Sequence, residues 1–271
     1  MRLLPEWNGI RPLIGVVHLK PLPGSPGFAG SAAAVRDHAL ADADALVAGG
    51  VHGLIVENFG DAPFFPGRVP PVTVAEMTLT ALDIRRRFPR VPLGVNVLRN
   101  DGLSALAVAV AVGAAFLRVN ILSGARVTDQ GVIQGIAHDL LRERKRLKAE
   151  GVRILADVAV KHSAPLAPYD AVEEVEDVLA RGRADAVVVS GSATGKPVDV
   201  EELRRVHAAA GGAPVILGSG VTVDNLPRFA SLADGFIVGT ALKQDGRVDA
   251  PVDGERVRRL VAALTDRRKA G

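Results

Sequence analysis

Short apolar runs rich in Val, Ile and Leu recur along the chain, each closing on a polar residue or a glycine. They occupy 12–19 (PLIGVVHL), 53–57 (GLIVE), 93–98 (LGVNVL), 116–120 (FLRVN), 153–158 (RILADV), 186–190 (AVVVS), 215–218 (VILG) and 235–238 (GFIV). At four to eight residues each, they have the length and composition of strands buried on both faces. Segments of helical period lie between them. Val74, Met77, Ala81, Ile84 and Phe88 share one face of the second segment, and Val257, Leu260, Val261 and Leu264 one face of the last. Ser31, Asp101, Asp129, Asp170, Asp199, Thr222 and Asp253 stand where N-caps are expected. Gly49-Gly50, Gly113, Gly151, Gly182 and Gly211-Gly212 stand where helices should stop.

Eight strands alternating strictly with eight helices argue for a parallel sheet wrapped in helices. Eight units in about 250 residues is the number that closes a barrel. The predicted fold is therefore a single-domain (β/α)8 TIM barrel over 1–271, with 1–11 as an N-terminal extension. An open doubly wound sheet would carry a glycine fingerprint after its first strand, where this chain reads HLKPLPGSPG. Loops after strands are long at 20–30, 58–71 and 159–169, whereas loops before strands are mostly short. Barrel enzymes build their sites from the former set. Loop 58–71 holds Phe59, Phe64 and Phe65 and reads as a lid or a subunit contact, and a homo-oligomer is expected.

Composition narrows the function. The chain has no cysteine, which removes a thiol nucleophile, Cys-ligated zinc and an iron–sulfur cluster, and fits a cytoplasmic protein. Its formal charge is +3, and the basic run RERKRLK at 142–148 reads as the solvated end of a helix, so nucleic acid is not expected. The N-terminus has no long apolar core and does not read as a secretory signal. The most apolar stretch, 103–112, falls short of the roughly 20 residues a membrane span needs, and no integral membrane segment is expected.

Ionisable and amide side chains collect at the carboxyl ends of the strands, where burial is costly unless they are paired or used. His18 and Lys20 follow the first strand; Glu57 and Asn58 the second; Asn96, Arg99, Asn100 and Asp101 the third. Arg118 and Asn120 lie on the fourth, Asp157, Lys161 and His162 on or after the fifth, and Ser190 ends the sixth. Taken singly, each has a structural reading: Asp101 a helix cap, Asn100 a turn residue, His18 a core histidine, Arg118 an ion-pair partner of Glu57 or Asp157. Taken jointly, they converge on one face if the barrel closes.

The seventh strand ends in Gly218-Ser219-Gly220 and the eighth in Gly239-Thr240, with Lys243 behind. In barrels these two turns frequently hold a phosphate. SGSATGKP at 190–197 is not a P-loop: three residues, not four, separate Gly191 from Gly195, and Pro197 follows Lys196. Ser190 and Gly191 stay candidates for an anionic or sugar-like ligand. No cofactor is expected. His18, Glu57, Asp157 and His162 could supply ligands to a divalent metal, but no HxxxH or HExxH pair supports one.

The strings IGVVHLKPLPGSP, GGVHGLIVENFGDAPF, GVNVLRND, FLRVNILSGARVTDQG, ILADVAVKH, VSGSATG and GSGVTVDN closely resemble the BtpA/SgcQ family over 14–257. The resemblance implies a (β/α)8 protein related to phosphate-binding barrels. It implies as motif positions Glu57, Asn58, Asp61, Asn96, Arg99, Asn100, Asp101, Arg118, Asn120, Asp129, Asp157, Lys161 and His162. A cyanobacterial member is linked to photosystem I biogenesis as a peripheral membrane factor, others lie near sugar-metabolism genes, and the family brings no settled reaction. The function expected is an enzyme acting on a small phosphorylated, sugar-like metabolite by isomerase, epimerase or aldolase/lyase acid–base chemistry. Asp157 or Glu57 is the candidate base, His18 the acid and Lys161 the stabiliser of negative charge or a Schiff-base amine. Asn58, Asn96, Arg99, Arg118, Asn120, His162 and Ser190 would contact substrate, and Gly191, Gly218, Ser219, Gly220, Gly239 and Thr240 its phosphate. The alternatives are a non-catalytic assembly factor for a membrane complex and a metal-dependent nucleoside-phosphate hydrolase.

Overall fold

The computed structural model describes residues 3–191 and 198–266. The SATGKP portion of the sixth-strand turn (192–197) and the terminal basic residues 267–269 lie outside the described residues. In chain order the elements are β1 (Leu13–His18), α1 (Ala32–Ala48), β2 (Gly53–Glu57), α2 (Pro71–Arg87), β3 (Leu93–Asn96), α3 (Gly102–Val112), β4 (Phe116–Val119), β5 (Ala125–Thr128), β6 (Gly131–Gln134) and α4 (Ala137–Arg146). There follow β7 (Arg153–Val158), β8 (Ser163–Pro165), α5 (Ala171–Glu176), β9 (Ala186–Val189), α6 (Val200–Ala209), β10 (Val215–Leu217), α7 (Leu226–Phe229), β11 (Gly235–Val238) and α8 (Gly254–Asp266). Eight strands form a closed, all-parallel barrel in the order β1-β11-β10-β9-β7-β4-β3-β2. The fold is a (β/α)8 barrel, and each predicted strand is present, trimmed by at most a residue or two at its ends.

Alternation along the strands sorts the core into two shells. Leu13, Val17, Leu54, Val56, Val95, Leu117, Ile154, Val187, Val215 and Phe236 face outward and pack against the helices. Ile14, Val16, Ile55, Phe116, Leu155, Val188, Ile216 and Ile237 face inward and fill the barrel. Both parities are apolar, which is why the strands read as unbroken hydrophobic runs. The N-terminal segment closes the amino end of the barrel. Leu3, Leu4 and Trp7 join the inner shell, with the Trp7 ring edge-on to Phe116 at 5.7 Å. Trp7 Nε1 donates to the carbonyl of His52 at 2.9 Å, and His52 Nδ1 accepts from the Leu13 amide at 3.0 Å. Gly94 stands opposite Phe116 in register, where a Cβ would overlap the phenyl ring.

Helix signals hold with three exceptions. Ser31, Asp101, Asp170 and Asp199 accept from the first-turn amides of α1, α3, α5 and α6, and Asp253 from those of Glu255 and Arg256. Asp129 instead lies in the tight turn between β5 and β6, which with β8 make a three-stranded antiparallel sheet, order β6-β5-β8, that strict alternation did not foresee. Thr222 exchanges hydrogen bonds with Asn225, the residue that precedes α7. The chain leaves α4 through Lys148 at φ +54°, before Gly151. The apolar stretch 103–112 is α3, packed between α2 and α4. No described helix is long and apolar enough to cross a membrane.

Removing the Trp7 ring leaves a cavity against Phe116 and Gly53. Trp7→Ala should cost about 3–5 kcal/mol of stability by urea denaturation. A loss below about 1 kcal/mol would show that the segment is not part of the core.

Candidate active site

Each inward column of side chains is apolar at the amino end and turns polar, or to glycine, at the carboxyl end. Two residues beyond Val16 is His18; beyond Ile55, Glu57; beyond Gly94, Asn96; beyond Phe116, Arg118 and then Asn120. Two beyond Leu155 is Asp157; beyond Val188, Ser190; beyond Ile216, Gly218; beyond Ile237, Gly239. Register pairs His18 with Glu57 and Glu57 with Asn96 across neighbouring strands. The side chains the sequence scattered along the chain thus share one end of one barrel.

They divide into a paired set and an open set. Arg118 Nε and Nη2 donate to Asp157 Oδ1 and Oδ2 at 2.7 and 2.8 Å, in the two-pronged geometry of a guanidinium on a carboxylate. Arg118 Nη2 also reaches Ser190 Oγ at 3.2 Å, and Asn120 Nδ2 donates to Asp157 Oδ2 at 3.0 Å. Burial opposes the Arg118 charge, but Asp157 outweighs it, and the guanidinium pKa ends above its ordinary value. With both oxygens engaged, Asp157 is poorly placed as the general base the sequence suggested. The structural-pair reading of Arg118 holds, with Asp157 rather than Glu57.

Glu57 is the contrasting carboxylate: only 5% exposed, it makes no side-chain hydrogen bond or ion pair with any described residue. It lines a cavity of about 680 Å3 together with His18, Phe59, Arg118 and Lys161 on one side. On the other side lie 218–224, 238–242, Arg256 and Arg259. This volume is typical of a small-molecule site. Arg118, Lys161, Arg256 and Arg259 border it together with Glu57 and Asp224; Arg118 is already neutralised by Asp157 and Arg256 lies 3.8 Å from Asp253, which leaves Lys161 and Arg259 as the cations open to a ligand. Burial, then the charges of Lys243, Lys161 and Arg118, push the His18 imidazole down to about 3. His18 is therefore neutral near pH 7, so any acid role falls to the neutral imidazole as a hydrogen-bond donor; its ring lies 4.6 Å from that of Phe59. Of the aromatic loop, Phe59 lines the cavity while Phe65 is 52% exposed.

Lys161 sits between two residues in the left-handed region, Ala159 (φ +51°) and His162 (φ +53°). Several groups brace this segment. Arg99 Nη2 donates to the Lys161 carbonyl at 2.6 Å, the Ala159 amide to Glu174 Oε2 at 2.8 Å, and Arg126 Nε to Ser163 Oγ at 2.7 Å. Arg126 also pairs with Glu174 at 3.1 Å, and Tyr169 donates to Glu174 at 2.9 Å. Arg126, Tyr169 and Glu174 escaped the sequence reading because they act through the unforeseen antiparallel sheet. Burial lowers the pKa of Arg99, and burial with the charges of Lys161 and Arg99 lowers that of His162. Neither lines the cavity.

Several expected ligand contacts are taken up by the fold. Asn58 Oδ1 accepts from the Leu98 amide at 2.7 Å and its Nδ2 donates to Asp61, which in turn accepts from the Leu22 amide. Asn58 thereby ties three loops together. Asn100 similarly bonds both backbone groups of Ile121. Lys243 points away from the glycine turns into a buried pair with Asp42 at 3.1 Å. The Gly191 amide donates to Ser219 Oγ at 2.9 Å, and the Gly218 amide to the Val189 carbonyl at 2.7 Å. Gly218 and Gly239 matter for space: a Cβ on the first would crowd Ser190 and Arg118, and on the second His18. The amides of Gly220, Val221, Thr240 and Ala241 make no hydrogen bond with the described residues and border the cavity. Gly220, at φ +71°, adopts a backbone conformation that favours glycine. Arg256 and Arg259 were missed because a cation on the polar face of α8 carries no signal distinguishing it from a solvated one.

Of the seven buried side-chain polar atoms without a hydrogen-bond partner among the described residues, four belong to this set: His18 Nδ1, Asn96 Nδ2, Arg99 Nε and Asn120 Oδ1. Such atoms are uncommon in folded proteins and call for a ligand or water. No group of three or more His, Cys, Asp or Glu converges on a metal position among the described residues.

Two tests follow from this geometry. Between pH 6.5 and about 3 the unfolded chain protonates His18 while the folded chain does not. Stability should therefore fall with acidification by up to about 1.4 kcal/mol per pH unit in that window. His18→Gln should remove this slope, and an unchanged pH profile between 6 and 4 would contradict a buried neutral imidazole. Asp157→Ala should cost about 3–5 kcal/mol by stranding Arg118, whereas Arg118→Met with Asp157→Leu should recover most of it. Equal losses in single and double variants would remove the ion pair as their cause.

The comparisons with known proteins agree with this architecture. The model of the BtpA family matches residues 10–266. An uncharacterized protein of Thermococcus kodakarensis is 50% identical over 260 residues, 96% of this chain and 97% of its own. The photosystem I biogenesis protein BtpA of Synechocystis is 46% identical over 266 residues, 98% of this chain and 92% of its own. Among solved structures, phosphoribosyl anthranilate isomerase of Thermus thermophilus superposes with a TM-score of 0.57, covering 96% of this chain and 100% of that one. Its 14% identity speaks to the barrel alone. By the extent of its match to the family model and by its relatives, the chain belongs to the BtpA family.

Proposed function

We propose that the chain is an enzyme that binds a small phosphorylated, sugar-like metabolite and moves a proton on it, as isomerases, epimerases and lyases do. One observation carries the reading: a single cavity borders both the free amides after β10 and β11 and the open ionisable set Glu57, His18 and Lys161. The phosphate would accept from the amides of Gly220, Val221, Thr240 and Ala241, with Arg256 and Arg259 beside it. Phosphate sites after the last two strands recur in barrels. The rest of the ligand would then reach toward β1 and β2. Glu57, buried yet unpaired, is the base in this reading. Neutral His18 donates a hydrogen bond to the oxygen on which charge develops, and Lys161 stands on the same wall.

The name of the Synechocystis relative keeps a second reading in view, a partner-binding protein. Exposed Phe65 on the loop after β2 and exposed Val72 and Leu79 on α2 favour it. A hydrolase using a metal draws no support from the arrangement of carboxylates and histidines among the described residues.

A thermal-shift panel of three- to six-carbon sugar phosphates, each beside its unphosphorylated counterpart, separates the first two readings. A ligand at a hundred times its Kd stabilises the folded state by about 2.7 kcal/mol. At least one phosphorylated compound should raise the midpoint where its counterpart does not, and Gly220→Asp should abolish the shift through charge repulsion. Equal shifts for both forms would overturn the phosphate assignment, and no shift from any compound would favour the partner-binding reading.

A further inference from the structure

We propose that Lys161 forms a covalent imine with its ligand, so that the cavity takes a phosphorylated aldehyde or ketone. This rests on, and sharpens, the reading of the cavity as a site for a small phosphorylated metabolite.

Two lysines of this barrel are built differently. Lys243 is built as a structural cation: 1% exposed, its Nζ bonds Asp42 at 3.1 Å and the Ala250 carbonyl at 2.9 Å. Lys161 is only half-buried; its Nζ has no hydrogen bond or ion pair with any described residue and its side chain lines the cavity. A lysine with that placement and no partner gains nothing for the fold. Its backbone is nonetheless held firmly, with left-handed Ala159 and His162 close on either side and Arg99 gripping its carbonyl at 2.6 Å. Local strain sustained by surrounding contacts is a mark of groups kept in position for function. Burial and the neighbouring Arg118 and Arg99 lower the amine's pKa despite Glu57 and Asp157, which raises the fraction present as the free base.

In the step itself the Nζ lone pair attacks the carbonyl carbon, and the C=O pair moves to oxygen. Proton transfer from nitrogen to that oxygen gives a neutral carbinolamine. With one further proton from solvent, the hydroxyl leaves as water and an iminium remains. The iminium draws electrons from the adjacent carbon, so that Glu57, on the same cavity wall, removes a proton there. Hydrolysis by the reverse route restores the amine. Nothing is oxidised or reduced.

Pyridoxal 5′-phosphate and pyridoxal serve as probes, since both carry an aldehyde and one carries a phosphate. The protein is incubated with each, reduced with borohydride to fix any imine, and mapped by peptide mass spectrometry. Lys145, whose side chain is 82% exposed, is the internal reference. We expect Lys161 to be labelled at least tenfold faster than Lys145 by pyridoxal phosphate. Half-maximal labelling of Lys161 should come at a lower pH than that of Lys145, and inorganic phosphate should protect Lys161 alone. Equal labelling of Lys161 by both probes, without phosphate protection, would keep the imine and overturn the phosphate reading. Lys161 labelled no faster than Lys145, while pyridoxal phosphate still raises the thermal midpoint, would overturn the imine and keep the phosphate reading. A Lys161→Met variant of unchanged midpoint that retains the fast label elsewhere would also overturn it.

Discussion

Closure of eight parallel strands imposes a strict rule on this molecule: every second side chain must enter a space only wide enough for side chains. The rule makes the inner columns apolar over most of their length. Trp7 and Phe116 fill the amino end so fully that Gly94 must lack a side chain. At the other end the same parity delivers His18, Glu57, Asn96, Arg118 and Asp157 to one rim. The convergence of residues far apart in the chain follows from alternation and closure alone, with no need of long excursions by loops.

The charge that enters this space is handled in two ways. Arg118, Asp157, Asn120 and Ser190 satisfy one another, and the missing side chain at Gly218 leaves them room. Such a cluster brings specificity of packing and a high cost on removal of one member, rather than large net stability. Glu57 and Lys161 are spared this mutual saturation, and His18 is held neutral beside them. Next to this rigid ion pair, an unpaired carboxylate and an unpaired amine keep their capacity to react. The polar rim is therefore layered: a fixed floor and a wall with open valences.

Most of the architecture was legible in the primary structure because both strand faces are apolar and the caps are locally encoded. Ser31, Asp101, Asp170, Asp199 and Asp253 cap as their spacing implies. The rest was hidden for physical reasons. The antiparallel sheet is made of short, partly exposed strands whose side chains show no clean alternation, and its turn residue Asp129 mimics a cap. His18, Glu57, Lys161 and the two glycine turns, all visible as polar or glycine strand ends, border one cavity. What the primary structure did not show are partners that only three dimensions provide: the Leu98 amide on Asn58, the Ser219 hydroxyl on the Gly191 amide, the Asp42 carboxylate on Lys243. Asp157 and Glu57 look alike in a string of letters; only the position of Arg118 tells them apart.

The central claim is that the free amides after β10 and β11 and the open side chains on β1 and β2 belong to one anion-accepting cavity. Its most direct measurement is a crystal structure of the protein soaked in tungstate, located by anomalous scattering. The account predicts a tungstate whose oxygens lie within about 3 Å of the Gly220, Val221, Thr240 and Ala241 nitrogens, with Glu57 and Lys161 facing the same space. Tungstate bound only elsewhere, for example in the groove flanked by Arg68, Arg142 and Arg146, with those four amides turned away from it, would contradict the account.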